Sequence, residues 1–585
     1  MKDFLKFTLA TVTGIILSSI VLFIVSMVTL FGIMSASDTE TIVKKNSVMM
    51  LDLNGTLVER TQENPLDILS QLFSDDSNIY GLDDILSSIK KAKENENIKG
   101  IYLQASSLGT SYASLQEIRN ALLDFKESGK FIIAYGDSYT QGLYYLSSVA
   151  DKVLLNPKGM IEWRGIAAAP VFYKDLLQKI GVEMQIFKVG TYKSAVEPYI
   201  NTQMSEANRE QTMAYMTPIW NHLLEQLSQD RDISVDQLNN LADTLLVTVD
   251  AKELIAKGLV DTLMYRPQMN EFLKAKVGID KDDDLIFASI NEVASIKQAP
   301  NKAKDEIAIV YAEGGIDMGE TNGVNTAKLV EDLTKIQNDK NVKAVVLRVN
   351  SPGGSAYGSE QVWAAIEAIK AAGKPVAVSM GDVAASGGYY ISCNADRIFA
   401  NPTTLTGSIG IYGLIPNYKG LLTGKLGLTF DGVQTNKYGN FPSVSRAMTT
   451  DEHRQMQQYI ERGYELFTTR CAEGRGMSIE AIKKIAEGRV WDGATALEIG
   501  LVDELGDLDA AIEWVAQKAK LDKYKTSAYP KQKTAMEQLM DELGMNVRSK
   551  IAASYLGENY KYFKALEQCQ NIDPVQYRME DIELY

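Results

Sequence analysis

Residues 97–105 read NIKGIYLQA, and residues 341–349 read NVKAVVLRV. Each is a short apolar run behind a polar start, the pattern of a buried strand. The likeness continues on both sides. Gly136-Asp137, Tyr144-Tyr145, Ala150-Asp151 and Asn156-Pro157 return as Gly381-Asp382, Tyr389-Tyr390, Ala395-Asp396 and Asn401-Pro402, at a constant offset of 245. The chain is a tandem duplication, and the contrasts between the copies indicate where chemistry lies. The second copy has Thr406-Gly407-Ser408-Ile409-Gly410 where the first has Ile161-Glu162-Trp163-Arg164-Gly165. A small serine turn in one copy is a bulky tryptophan in the other.

The two copies share one grammar. SVMMLDL (47–53) and EIAIVY (306–311) are opening strands, and residues 82–92 and 327–336 follow with apolar positions at helical spacing. Next come the duplicated strand, a Gly/Ser turn, a helix such as SEQVWAAIEAIKAAG closing at Gly373, and the strands FIIAYGD and PVAVSMGD. The alternation predicts an α/β fold of repeated units with right-handed crossovers. Both copies close alike, on Gly258-Leu259-Val260-Asp261 and Gly500-Leu501-Val502-Asp503. The expected organisation is a membrane anchor and flank (1–45), a first repeat (46–275), a charged linker (276–304), a second repeat (305–524) and a helical extension (525–585). MEQLMDEL and YKYFKALEQCQ supply the helices of that extension.

At 585 residues the chain exceeds one hydrophobic core. A net charge of −15 gives no basic stripe for phosphates and argues against nucleic acid. Cys393, Cys471 and Cys569 are odd in number and have neither disulfide-framework nor zinc spacing. There are only two histidines, His222 and His453, both in amphipathic helical segments, so a hydrolytic base is expected to be something other than histidine. No charge occurs from Phe7 to Ser37, a stretch long enough to cross a bilayer and too long for the apolar core of a secretory signal. Lys2 and Lys6 before it and Asp38 and Glu40 after it predict an N-in anchor with the remaining chain outside the cytoplasm.

Three features of the second copy can carry chemistry. Asn350-Ser351-Pro352-Gly353-Gly354-Ser355 follows a strand, and its glycines let backbone N–H groups converge as an oxyanion hole; the first copy has lost Pro-Gly-Gly there. Ala384-Ala385-Ser386-Gly387-Gly388 is a small-residue entry to a helix, in which Ser386 is a nucleophile or a cap. Ser408, between two glycines, is the third. A serine needs a base, and a lysine serves if burial lowers its pKa to about 7–8. Lys193, in Val189-Gly190-Thr191-Tyr192-Lys193-Ser194-Ala195-Val196-Glu197-Pro198, lies among small and apolar residues; Lys437 is its counterpart in the second copy.

The motifs NSPGGS, MGDVAASGGYYI, NPTTLTGSIGIYG and VGTYKSAVEPY together resemble the signal peptide peptidase A (protease IV) family in its long, duplicated form. The resemblance spans nearly the whole chain. It implies tandem ClpP/crotonase-like domains and a membrane-anchored serine endopeptidase with a Ser/Lys dyad, without metal or other cofactor. It implies Ser408 as nucleophile and Lys193 as base, one active site shared by two copies, with Gly353, Gly354 and Ile409 near the oxyanion. Ser386 stands where Clp proteases carry their nucleophile and is the alternative, although that enzyme type uses a nearby histidine; Lys437 is the alternative base. A hydroxyl that orients the lysine is also implied. The expected substrates are cleaved signal peptides and other apolar peptides. The expected setting is a homotetramer in the bacterial inner membrane, single-pass, its catalytic part periplasmic. Two rivals predict different observables: a crotonase-like acyl-CoA enzyme would bind CoA, and a non-catalytic membrane scaffold would have no reactive serine.

Overall fold

The computed structural model describes residues 43–61, 78–297, 301–318, 323–531 and 575–579, with scattered helical positions between 6 and 25. In the first copy a seven-stranded parallel sheet runs in the order Asn78–Gly81, Ser47–Val58, Ile98–Gly109, Phe131–Gly136, Lys152–Leu155 and Thr262–Leu263. Phe287–Ser289 is its seventh strand and pairs with Ser47–Val58. The second copy builds an eight-stranded sheet around Leu405–Gly407, Val376–Ala385, Val342–Ser351 and Glu306–Glu313 in that order. Val342–Ser351 is buried at eight of its ten positions. A parallel strand covered on both faces reads as a continuous apolar run, which is why VKAVVLRV lacks alternation.

The duplication holds in tertiary detail. Tyr144 and Tyr389 are both fully buried and donate their hydroxyls to Leu259 O (2.7 Å) and Leu501 O (2.9 Å), in the matching Gly-Leu-Val-Asp closures. The aspartates of those closures, Asp261 and Asp503, each accept a backbone N–H and an arginine, Arg231 or Arg475.

A third sheet joins the copies. Its order is Val324–Asn325, Ile316–Asp317, Gly353–Ser355, Val575–Arg578, Ile411–Asn417 and Glu183–Val189. The last of these belongs to the first copy and pairs antiparallel with Ile411–Asn417 of the second, from Val189 opposite Ile411 to Glu183 opposite Asn417. A buried ion cluster adds a second joint. Arg348 of the second copy lies 2.8 Å from both Glu59 and Glu117 of the first and donates to Ser379 Oγ at 2.9 Å. Burial outweighs the arginine and holds the Glu117 carboxyl up to about 7. Arg348→Met is expected to cost about 3–5 kcal/mol at neutral pH, because two carboxylates lose their buried partner. Urea unfolding measures this, and the loss should shrink below pH 7 as Glu117 takes up a proton.

Two expected boundaries shift. Residues 276–304 are not merely a linker: Phe287–Ser289 and the helix Ile290–Ala294 complete the first sheet and bury Ile290 and Val293. Residues 525–585 are not simply helical either. Lys525–Tyr529 adds a parallel strand beside Glu306–Glu313, and Val575–Arg578 is the strand noted above. Each gains main-chain hydrogen bonds from a sheet edge that local sequence does not reveal. MEQLMDEL, YKYFKALEQCQ and Cys569 lie outside the described residues, as does most of the expected anchor. Among the described residues no helix is long and apolar enough to cross a membrane.

Candidate active site

The cross-copy strand Glu183–Val189 delivers Lys193. After it, Gly190 takes φ 107, and a Cβ there would lie 2.3 Å from Glu487 O, so only glycine permits this approach. Tyr192 N donates to Glu487 O at 3.0 Å. On the far side Glu197 is buried and accepts from Ser205 N (3.0 Å) and Ser205 Oγ (2.6 Å), pinning the loop to the start of the helix Glu206–Arg231. The segment VGTYKSAVEP thus fixes the lysine from both ends.

Lys193 is only 1% exposed. Its Nζ lies within hydrogen-bond distance of Ser386 Oγ (2.8 Å), Ser408 Oγ (3.1 Å) and Ser408 O (3.2 Å). Burial alone pushes its pKa well below the usual lysine range, and no carboxylate opposes this. A neutral amine has two N–H bonds and one lone pair. Ser408 O can only accept, which leaves one N–H and the lone pair for the two hydroxyls.

Ser386 ends the strand Val376–Ala385 and precedes the helical turn Gly387–Tyr390, at φ 54 and ψ −112. That backbone is strained for a residue with a side chain, by about 1–3 kcal/mol. Its N–H donates to Gly407 O at 2.8 Å. A Cβ at Gly388 would lie 2.4 Å from Ser351 O, so the small residues of AASGG let this turn press against the Ser-Pro-Gly-Gly turn. Ser408 also has positive φ, 49, but its N–H is committed to Arg489 O at 2.7 Å.

The oxyanion expectations fare unequally. Gly353 N donates to Ser351 Oγ at 3.2 Å. Gly354, at φ 159, has no room for a Cβ, which would meet Ile316 O at 2.1 Å. Ile409 is fully buried, with its carbonyl accepting from Gly488 N at 2.9 Å. Lys437 is brought to neither serine: it is exposed, and pairing with Asp451 raises its pKa, the opposite of what a base at neutral pH needs. His222 bonds Gln116 Oε1 at 2.8 Å and is pushed down to about 4 by burial; His453 packs on the Phe187 ring. No cluster of three metal-ligating side chains occurs among the described residues.

A sequence model of peptidase family S49 matches residues 124–280 and again 368–522, and one of Clp protease matches 298–404. Protease 4 of Salmonella typhi is 39% identical over 86% of this chain and 83% of its own length. The chain belongs to peptidase family S49. This S49 member is therefore a serine peptidase. Protease 4 of Haemophilus influenzae is 33% identical over 85% of this chain and 83% of its own length. Serine protease SPPA, chloroplastic, of Arabidopsis thaliana is 28% identical over 92% of this chain and 78% of its own length.

The sequence marks Ser386 by the same contrast between copies that marks Ser408. The offset of 245 sets Ser386 opposite Gln141 as well as Ser408 opposite Trp163. Gln141 Nε2 donates to Gly165 O at 3.0 Å, as Ser386 Oγ donates to Gly410 O at 3.4 Å. Gln141 Oε1 accepts from Arg164 N and Gly165 N. Trp163 is buried, bonds Leu238 O at 2.9 Å and stacks on Trp220. The first copy has lost both hydroxyls and packed their places.

Proposed function

We propose that the chain is a Ser/Lys endopeptidase in which Ser386 is the nucleophile, Lys193 the general base and Ser408 the hydroxyl that orients the lysine. This exchanges the two serine roles that the family resemblance implies. The observation that carries the exchange is the strained strand-to-helix turn at Ser386, with its Oγ 2.8 Å from the buried amine. Such an elbow projects a nucleophile clear of its own backbone. Neutral Lys193 takes the Ser386 proton as Oγ attacks the scissile carbonyl. The N–H of Gly387, which has no partner within its helical turn, and that of Gly354 are suited to the oxyanion. The lysine then returns the proton to the leaving amine, and water hydrolyses the acyl-enzyme.

A second reading, with Ser408 as nucleophile, draws on a small cavity that touches Lys193 and Ser408 and is not lined by Ser386. A serine-reactive phosphonate separates the readings. Mass spectrometry should find the adduct on the peptide containing Ser386, and an adduct on Ser408 would restore the original assignment. Absence of any adduct, or CoA binding, would favour the rivals.

The proposal extends to the setting. The copies 46–275 and 305–524 form one catalytic unit, since the base comes from the first and both serines from the second. The described helical positions Phe7, Ile15, Leu17, Val21, Leu22 and Val25 are at least 56% exposed, and unshielded apolar side chains of this kind fit an anchor in lipid. We assign the protein to the bacterial inner membrane as a single-pass homotetramer acting on cleaved signal peptides and other apolar peptides. Membrane fractionation and the mass of the detergent-solubilised protein test this setting.

A further inference from the structure

The turn Glu487-Gly488-Arg489 of the second copy lies between the base and the Ser408 turn. Tyr192 N of the first copy donates to Glu487 O at 3.0 Å, Gly488 N donates to Ile409 O at 2.9 Å, and Arg489 O accepts from Ser408 N at 2.7 Å. One short segment thus bonds the lysine loop on one side and the serine turn on the other. Gly488 is buried at φ 80, and a Cβ there would lie 2.7 Å from Lys193 Cβ and 2.8 Å from its N and Cα. A Cβ at Gly410 would meet Gly488 Cα at 2.8 Å and Lys193 Cδ at 3.3 Å. The lysine is packed against bare backbone, which glycine permits.

Arg489 adds a side-chain clamp between the copies. Its guanidinium sits 4.6 Å from the ring centroids of Trp491 and of Tyr192, the residue before Lys193. It also pairs at 3.0 Å with Glu210 of the first-copy helix Glu206–Arg231, and the Tyr192 hydroxyl lies 3.4 Å from the same carboxylate. A guanidinium stacked on aromatic faces is held by charge and by contact together. The contrast between copies points the same way. Thr248-Val249-Asp250 aligns with Val490-Trp491-Asp492, which sets Leu245-Leu246-Val247 opposite Glu487-Gly488-Arg489. Leu245 and Glu487 both take positive φ, 35 and 56, so the turn is kept. The copy that lacks the two hydroxyls has apolar residues in place of Gly488 and Arg489.

We propose that Gly488 and Arg489 are positioning residues for the base: Gly488 lets the turn seat against Lys193, and Arg489, acting through Tyr192, holds the lysine loop of the first copy closed over the serines of the second. This rests on the reading of Lys193 as general base. The charged groups packed around the loop and turn include Lys188, Glu197, Glu210, Glu487 and Arg578, but burial rather than any of them holds the Lys193 pKa down. Without the clamp, water reaches the amine and its pKa rises towards the usual lysine range.

The test uses the full-length chain and two readouts. In the first, acetic anhydride labels amines and mass spectrometry quantifies the peptide containing Lys193. At about pH 9, Arg489→Ala and Tyr192→Ala should each raise labelling of Lys193 at least about ten-fold, with exposed Lys437 as the unchanged reference. Tyr192→Phe, which keeps the ring, should label like the wild type. Because both residues act through one contact, Arg489→Ala combined with Tyr192→Ala should label no more than Tyr192→Ala alone. In the second readout, Arg489→Ala should lower kcat/KM on a reporter peptide about ten-fold at pH 7, chiefly through kcat, and by no more than about two-fold at pH 10, because the acid limb has moved up. Gly488→Ala moves the amine itself and should lose about 10²-fold at every pH. If that variant fails to fold, the Arg489 and Tyr192 variants decide alone. Unchanged labelling in Arg489→Ala, with activity lowered equally at every pH or not at all, would overturn the proposal. Raised labelling with an unmoved acid limb would keep the clamp and remove Lys193 as base. Unchanged labelling beside an inactive Lys193→Met would do the reverse.

Discussion

Ser386→Ala is expected to lower kcat/KM on a peptide substrate by about 10⁴-fold or more, because it removes the atom that forms the acyl-enzyme. Ser408→Ala should cost about 10²-fold, the scale of a misplaced catalytic group. The difference follows from geometry. Both hydroxyls touch Lys193 Nζ, at 2.8 and 3.1 Å, but only Ser386 stands on a strand-to-helix elbow. Stability gives an independent readout. Ser386→Gly removes the Cβ from φ 54, so this variant should be inactive yet more stable by about 1 kcal/mol. If Ser408→Ala were the dead variant and Ser386→Ala retained activity, the exchange of roles would be wrong. Single-turnover acylation with an ester substrate measures the step concerned, since it isolates formation of the acyl-enzyme.

The second large effect belongs to Lys193→Met, expected at about 10³-fold or more on kcat, with folding strengthened rather than weakened. The amine is buried, and desolvation holds its pKa well below 10.5. Between that lowered value and 10.5 the unfolded chain binds a proton that the folded chain does not. Stability therefore falls as pH drops from 10.5 towards the folded pKa. Methionine fills similar volume without a charge to desolvate, so the variant should lose this slope and gain on the order of 1 kcal/mol at neutral pH. Wild-type activity should rise with pH as the lysine loses its proton and then level off. Thermal melts and kcat/KM from pH 5 to 10 test both statements. An activity profile unchanged by Lys193→Met would transfer the base elsewhere, although Lys437 is unsuited because Asp451 holds its proton.

Much of this was legible in the chain. The repeat at Asn97 and Asn341 gave the tandem α/β organisation, since buried parallel strands leave a distinct apolar signature. The scarcity of histidine and the apolar setting of Lys193 pointed to an amine base, and the lysine amine lies within hydrogen-bond distance of both serine hydroxyls. The choice between serines was not legible in the same way. Ser386 and Ser408 both stand among glycines, and small residues mark a turn without stating its dihedral angles. Comparing the copies helps only at aligned positions. Trp163 opposite Ser408 is a conspicuous exchange of size, and Gln141 opposite Ser386 exchanges one small polar side chain for a larger one.

The duplication, the α/β alternation, the Gly-Gly turn and the candidate lysine are local patterns, and residue order is enough to read them. Tertiary structure alone decided how the parts meet. Glu183–Val189 leaves its own copy to pair with Ile411–Asn417, which carries Lys193 to serines 193 and 215 positions away. Arg348 reaches back to Glu59 and Glu117, and Val575–Arg578 closes a gap between strands that no local pattern connects to it. These are pairings between distant backbone edges and buried charges. Their energy lies in the partner each segment finds, and residue order alone does not specify that partner.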